Sequence, residues 1–161
     1  MKPVAGCQGR GIFLTRDFES IDMKSNNQYV VQRYIHKPYL IDNLKFDMRI
    51  YVLVYGVDPL RVFVFREGLA RFATEEYTGP FNGNLDNLYM HLTNYAINKF
   101  SDNFEQNEDA SDDETGHKRS VSAVLKHIEQ TENNPNITVE KLWEQIDDIA
   151  AKTLISVQPH L

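Results

Sequence analysis

Two periods of apolar residues, separated by polar stretches, organise this chain of 161 residues. Residues 29–35, "YVVQRYI", are β-branched and aromatic and predict a strand. Residues 48–55, "MRIYVLVY", alternate. Ile50, Val52 and Val54 fall on one face, and Arg49, Tyr51, Leu53 and Tyr55 on the other. "GVDPL" follows, with Asp58-Pro59 favouring a type I turn, and then "RVFVF", residues 61–65, predicts a third strand. The second and third strands are expected to form an antiparallel hairpin. Glu67 to Thr74 continue it, and Gly68 is read as a bend or turn.

The period then changes. Residues 77–90 are rich in turn formers, and the pattern of 91–98, "HLTNYAIN", does not separate strand from turn. Residues 101–116 hold many acids and little to bury, so the segment 101–119 is expected to be a mobile acidic loop. Beyond it, Val121, Val124, Leu125 and Ile128 lie at helical spacing after a capping Ser120. A turn at "NNPN" precedes a second stripe of Val139, Leu142, Trp143, Ile146, Ile149, Ala150, Leu154 and Val157, which Pro159 stops. No internal repeat is visible. Loop, strands, loop and helices, in that order, predict an α+β class rather than regular βα alternation.

Composition narrows the classes. The hydrophobic share of 42% and charged share of 25% suit a globular domain with a real core. The net charge of -6 gives no basic field for a nucleic acid. A single cysteine, Cys7, excludes an internal disulfide and a Cys-rich zinc site, and suits a reducing compartment. No apolar run is long enough to span a membrane, and no signal-peptide core opens the chain. Lys2-Pro3 and the closing "VQPHL" read like the interior of a longer sequence.

Four clusters could carry chemistry. "GCQGRGIFL", Gly6 to Leu14, spaces its glycines G-x-x-G-x-G, neither the dinucleotide fingerprint nor the Walker loop. A plain turn explains it as well as a phosphate loop does, until Lys2 and Arg10 are counted: backbone N–H groups and two cations could close over phosphate oxygens. "QRY", Gln32 to Tyr34, ends a predicted strand whose backbone could read a purine edge, but outward-facing polar residues account for it equally simply. In "KFDMR", alternation puts Lys45, Asp47 and Arg49 on one face, against Phe46 and Met48. Cation, anion and cation in a row are costly to bury unless paired or bound to a ligand. Last, Arg71 precedes "HLTNYAINK", where Thr93 and Asn94 offer a hydroxyl and an amide. His91 has no metal partner at useful spacing, and nothing pairs with Cys7 to make it a nucleophile.

The blocks "KPVAGCQGRGIFL", "YVVQRYIHKPYLIDNLKFDMRIYVLV", "DPLRVFVFREGLARFAT" and "NLDNLYMHLTNYAINK" together resemble the tubulin-tyrosine-ligase-like proteins, closest to their polyglutamylase branch. The resemblance runs through nearly the whole chain in order and is weakest over 101–140. It implies an ATP-grasp fold, with antiparallel strands, C-terminal helices and ATP held between α+β lobes. It also implies a reaction: ATP phosphorylates a glutamate side chain of a tubulin tail, and free glutamate attacks the acyl phosphate. Residue by residue, Lys2 resembles the phosphate-binding lysine. Gln8 and Gly9 would cover ATP, and Arg10 would touch the acceptor peptide. Gln32, Arg33, Tyr34 and Ile35 would hold adenine. Lys45, Phe46 and Asp47 would contact the nucleotide, with Lys2, Lys45 and Asp47 converging on one cleft. Arg49 would lie near the transferring phosphate, and Arg71 would read the carboxylate of the incoming glutamate. Thr93 and Asn94 would add ATP contacts, while Tyr95 and Lys118 would face the amino acid.

The magnesium ligands implied by the resemblance, an Asp and a Glu-x-Asn set, lie past the last helix and are absent from these residues. The chain is therefore expected to be the centre of a ligase, an incomplete fold and inactive alone. Tubulin tails, microtubules and free glutamate are the implied partners, without nucleic acid or membrane. The cytoplasm and cytoskeleton, including cilium or basal body, are the implied location. The competing class is a non-catalytic module that binds nucleotide or microtubules; a small-molecule ligase and transfer of glycine are weaker alternatives.

Overall fold

In the computed structural model, residues 1–17, 19, 21, 28–105 and 115–160 are described. The chain divides into two compact units, one of Met1–Asp47 and Arg71–Gln106, the other of Met48–Ala70 and Asn107–Leu161.

In the first unit, two short strands, β1 (Lys2–Pro3) and β2 (Tyr29–Val30), pair antiparallel with Lys2 opposite Val30. The expected strand over 29–35 is therefore cut to two residues. β propensity favours a strand only where a partner backbone lies alongside, and the β1 ladder covers two residues. Strand β3 (Leu40–Ile41) then turns into β4 (Leu44–Val57), with Ile41 opposite Leu44 and Leu40 opposite Lys45. The turn residues Asp42 and Asn43 have φ of 55° and 60°. Both are left-handed, as a two-residue hairpin loop that matches strand twist requires.

Strand β5 (Leu60–Phe72) leaves this unit's floor buried: Phe72, Ala73, Ile41 and Met90 lose nearly all exposure. Phe46 stacks on Phe72 at 5.2 Å, and Tyr39 meets Phe46 edge-on at 6.4 Å. Two one-turn helices follow, α1 (Leu88–His91) and α2 (Tyr95–Asn98), which resolve the ambiguous 91–98 segment. The Asn87 side chain caps α1 by accepting from Met90 N–H. Asn98, at the end of α2, is buried and fully bonded. Its carbonyl accepts from Thr74 N–H at 3.0 Å and Thr74 hydroxyl at 2.9 Å, and its amide donates to Leu92 O at 2.7 Å and Asn94 O at 3.2 Å.

In the second unit, β4 and β5 are neighbours joined by Asp58-Pro59, whose peptide is cis, where a type I turn was expected. Strand β6 (Lys118–Ser120) lies on the far side of β5. Residues 106–114 of the expected acidic loop lie outside the described residues, and β6 occupies its end. Helix α3 (Val121–Thr131) buries the predicted Val121, Val124, Leu125 and Ile128, and Ser120 caps it by accepting from Ala123 N–H at 3.1 Å. Helix α4 (Val139–Val157) starts at a Thr138 cap and gives way to a 3-10 turn, Gln158–His160, at Pro159. Its apolar stripe faces β4 across a groove of about 440 Å³ lined by Ile50, Val52, Val54, Ile146, Ile149 and Leu154. Arg66 fixes the helix to β5 through a fork to Asp147, at 2.9 and 2.7 Å, and lies over the Trp143 ring. No described helix is long and apolar enough to cross a membrane.

Gly68 is no bend. It lies within β5 at a place where a Cβ would come 2.3 Å from the Arg49 carbonyl oxygen. Beside it, Glu67 serves the start of α3. Its carboxylate accepts from Gly68 N–H at 2.8 Å and Ser122 N–H at 3.2 Å. Desolvation pushes this carboxyl up, but the hydrogen bonds from the Ser122 hydroxyl and the N–H groups of Gly68, Ser122 and Val121 outweigh it and hold the group below its usual range. A carboxyl depressed in the folded state stabilises above its unfolded pKa, about 4.3, and that contribution is lost as pH falls through the folded value. Glu67→Gln should therefore lower Tm at pH 7 by a few degrees. Thermal melts from pH 7 to pH 3 should show the gap between variant and parent closing below about pH 4.

Candidate functional site

The glycine loop is shaped by left-handed residues. Gln8, Gly9 and Gly11 have φ of 59°, 82° and 71°. Arg10 N–H bonds back to Cys7 O and Ile12 N–H to Gly9 O, each at 3.2 Å, which closes the loop on itself. Gly9 is required by space as well as by φ. A Cβ there would come 2.7 Å from Ile97 Cδ1 and 2.9 Å from Asn94 Oδ1. The loop thus packs directly on the start of α2. Between them lies a small cleft of about 170 Å³, lined by Lys2, Gln8, Gly9, Arg10 and Asn94 and by the exposed Cys7.

This cleft fits an anion. Consecutive residues in left-handed or mixed conformations turn backbone N–H groups toward one concavity. Gln8 and Gly9, which line the cleft, have N–H groups with no backbone partner among the described residues. Lys2 and Arg10 add two positive charges and no acid lines the cleft. The donor set suits phosphate oxygens.

Lys45 does not line this cleft and belongs to a second cluster of the same unit. Its ammonium donates to the Tyr34 hydroxyl at 3.1 Å and to the backbone oxygen of His91 at 2.8 Å, and sits 4.5 Å over the Tyr34 ring. Tyr34 in turn meets His91 Nδ1 at 2.9 Å, and His91 Nε2 meets Asn84 O at 3.0 Å. A carbonyl only accepts, so Nε2 carries the proton; in the neutral ring Nδ1 then accepts from Tyr34 O–H. Burial lowers the Lys45 pKa, which the Asp47 charge partly opposes. Burial first, and then the Tyr77 hydroxyl, push the Tyr34 phenol well up. Burial also lowers His91, helped by the Lys45 charge and opposed by the hydrogen bond to Asn84.

A third cluster is Asp47 with Arg71. Arg71 Nε donates to Asp47 Oδ1 at 3.1 Å, while Nη2 donates to Oδ2. The fork is half-buried, with 19% of the Arg71 side chain and 36% of Asp47 exposed. Arg71 thus pairs with Asp47 and not with the nearby Glu67, which is committed to α3.

The other expected residues are placed as follows. Gln32, Arg33 and Ile35 are exposed, outside a strand. Phe46 belongs to the aromatic stack on Phe72. Thr93 is half-buried beside Asn94, and Tyr95 is exposed with its ring against Phe104. Arg49, exposed on β4, and Lys118, on β6, belong to the second unit. Among the described residues no three His, Cys, Asp or Glu side chains gather as a cation site. His91 and Asn98 escaped the reading of the sequence, because their partners are brought in only by the fold.

Comparison with known proteins agrees with the sequence resemblance. The family model described as "Tubulin-tyrosine ligase family" matches residues 1–160. A "Probable beta-tubulin polyglutamylase" of Tetrahymena thermophila is 52% identical over 100% of this chain. "Tubulin polyglutamylase ttll6" of Danio rerio is 50% identical over 99%, and "Tubulin polyglutamylase TTLL6" of Homo sapiens 49% identical over 98%. The matched region is 13%, 19% and 16% of those three proteins respectively, so the chain spans less than a fifth of their length. With an α+β arrangement of antiparallel strands and C-terminal helices that is ATP-grasp-like, and a family match over residues 1–160, this chain belongs to the tubulin-tyrosine ligase family.

Proposed function

We propose that this chain is the nucleotide- and substrate-holding part of an ATP-dependent ligase that adds glutamate to glutamate side chains of tubulin C-terminal tails. The observation that carries the reading is family membership along the chain's length, with relatives named tubulin polyglutamylases at 49–52% identity. The anion-fitting cleft supports it.

A carboxylate is a poor electrophile, so it must be activated. The γ-phosphoryl group of ATP passes to a side-chain carboxylate oxygen, releasing ADP. The amine of free glutamate then attacks the acyl carbon; phosphate leaves, an isopeptide bond forms, and the amine loses a proton. The protein's share is positioning and charge neutralisation. Lys2, Arg10 and the loop N–H groups would neutralise phosphate oxygens, while Arg10 also borders the acceptor peptide. Lys45, Phe46 and Asp47 would contact the nucleotide, with the backbone of Gln32, Arg33, Tyr34 and Ile35 toward the base and Thr93 and Asn94 adding polar contacts. Arg49 would neutralise the transferring phosphoryl group. Arg71, with Tyr95, would receive glutamate. Magnesium would neutralise phosphate charge when bound; among the described residues no cluster of carboxylates gathers to hold it. Microtubules are the partner surface and the cytoskeleton the site of action.

The test uses the full-length protein carrying this chain, with ATP, microtubules and radiolabelled glutamate. Label on tubulin that depends on ATP is the expected result; ATP binding without transfer to any tail would favour a non-catalytic module, and transfer of labelled glycine alone would reassign the donor. Gly9→Ala separates the loop's part. Pushed off Asn94 and Ile97, the loop should lose its phosphate geometry, and the KM for ATP should rise about tenfold or more, in line with the cost of strain at a special φ. An unchanged ATP KM in that variant would remove the loop from the site.

A further inference from the structure

The Lys45 ammonium has three N–H donors at tetrahedral angles. One is spent on the Tyr34 hydroxyl and one on the His91 carbonyl oxygen. With two directions fixed, the third has a single direction left. A lysine on a flexible stem is ordinarily a mobile point charge, and ordering it at the moment of binding costs entropy. Here that ordering is built in beforehand.

What holds the two acceptors still is a chain of bonds across the first unit. His91 has no exposed surface, and both of its ring nitrogens are used. The Asn84 carbonyl selects the tautomer, the tautomer makes Nδ1 an acceptor, and that acceptor orients the Tyr34 O–H so that its oxygen faces Lys45. The same histidine supplies the second acceptor from its own backbone. Tyr34 lies 11 residues from Lys45 and His91 46 residues from it, so the arrangement belongs to the tertiary fold and not to a local turn.

We propose that Tyr34 and His91 are positioning residues, which act on the nucleotide only through Lys45 by aiming its remaining N–H. The proposal rests on the reading of Lys45 as a nucleotide contact. The Tyr34 side chain then works from inside the protein, which leaves only its backbone for adenine. Protonation of His91 would undo the device. Nδ1 would become a donor, Tyr34 O–H would lose this acceptor and turn toward the Tyr77 hydroxyl, and the phenol oxygen would face two cations. The groups around the ring are Tyr34 and Tyr77 from loops, Lys45 from β4 and the Asn84 carbonyl; none is an acid that would favour the protonated form.

The experiment measures ATP affinity, the KM for glutamate and Tm in the full-length protein for Lys45→Met, Tyr34→Phe, their double variant and His91→Gln. Lys45→Met and Tyr34→Phe should each weaken ATP, Tyr34→Phe by about tenfold, the scale of a hydrogen bond to a charged group. The KM for glutamate should stay within about twofold. In the double variant Tyr34→Phe should add nothing, since its only route is gone. His91→Gln, neutral at every pH, should remove the part of the parent's acid loss of affinity below about pH 6.5 that exceeds the titration of ATP itself. The proposal is overturned if Tyr34→Phe leaves ATP affinity unchanged while Lys45→Met weakens it, if the two losses add in full, or if His91→Gln keeps the same acid profile. An unchanged ATP affinity in folded Lys45→Met defeats the nucleotide reading of Lys45 itself, and the proposal with it.

Discussion

Arg71→Ala should raise the KM for glutamate steeply, about tenfold or more, and should weaken ATP to a smaller degree. The first effect follows from the fork. A guanidinium has five N–H donors, and Asp47 takes two of them, leaving others for an incoming carboxylate. Removing a charged hydrogen-bond partner from a partly buried site costs on the order of 2–5 kcal/mol. The half-exposed setting of this pair places the loss at the lower end of that range. The second effect follows from Asp47, which would be left without its partner on the strand that also carries Lys45. The fork to Asp47 links the glutamate contact to the nucleotide contact. Lysine should rescue poorly, because a point charge cannot span both carboxylate oxygens. Asp47→Asn measures the structural share. If the pair only braces the hairpin, Asp47→Asn and Arg71→Ala should lose Tm equally and weaken both substrates in parallel. A folded Arg71→Ala variant with an unchanged KM for glutamate would end the substrate role.

The largest loss of stability is expected at Gly68→Ala. A Cβ there would lie 2.3 Å from the Arg49 carbonyl oxygen and 3.0 Å from Val121 Cγ2. A methyl against a flexible side chain is absorbed by a rotamer change. A carbonyl in a paired strand has no such freedom, so β4, β5 or the start of α3 must shift. Overpacking of this kind costs typically 1–3 kcal/mol, and a backbone obstacle points to about 3. For a chain of this size that is a fall in Tm of roughly 10 °C. Gly56→Ala, on the neighbouring strand β4, is the control: its Cβ would meet only Pro59 O at an ordinary 3.4 Å. It should be neutral or slightly stabilising, because alanine restricts the unfolded chain. Equal melting temperatures for the two variants would refute the close-approach account of Gly68.

What the residues disclosed in advance was whatever depends on neighbours in sequence. The Ser120 cap, the α3 stripe and the stop at Pro159 are set by residues within a turn of one another, and they appear where the periodicity put them. The long hairpin was visible for the same reason. The β3–β4 turn was missed although Asp42-Asn43 between apolar residues is a fair signal for two left-handed positions. The strand over 29–35 failed because propensity says nothing about partners, and its ladder is two residues long. The clusters were the least legible. Alternation put Lys45, Asp47 and Arg49 on one face but could not say that Lys45 would turn to Tyr34 and His91, or that Asp47 would take Arg71. Those pairings depend on hairpin register and on the packing of α1, neither of which is written in a local pattern.

Asn98 shows how far such a pairing constrains its position. Its amide accepts twice, from Thr74, and donates twice, to Leu92 O and Asn94 O, with 1% of its surface exposed. Aspartate would set a charge against two carbonyls and lose both donors. Leucine would leave the Thr74 hydroxyl and the Leu92 carbonyl without this partner, while Thr74 N–H would keep Tyr89 O and Asn94 O would keep the N–H groups of Ile97 and Asn98. Asparagine meets all four contacts at once. Its freedom to vary is therefore set by the Thr93-Asn94 segment that it ties to the end of β5, and not by the helix in which it is counted.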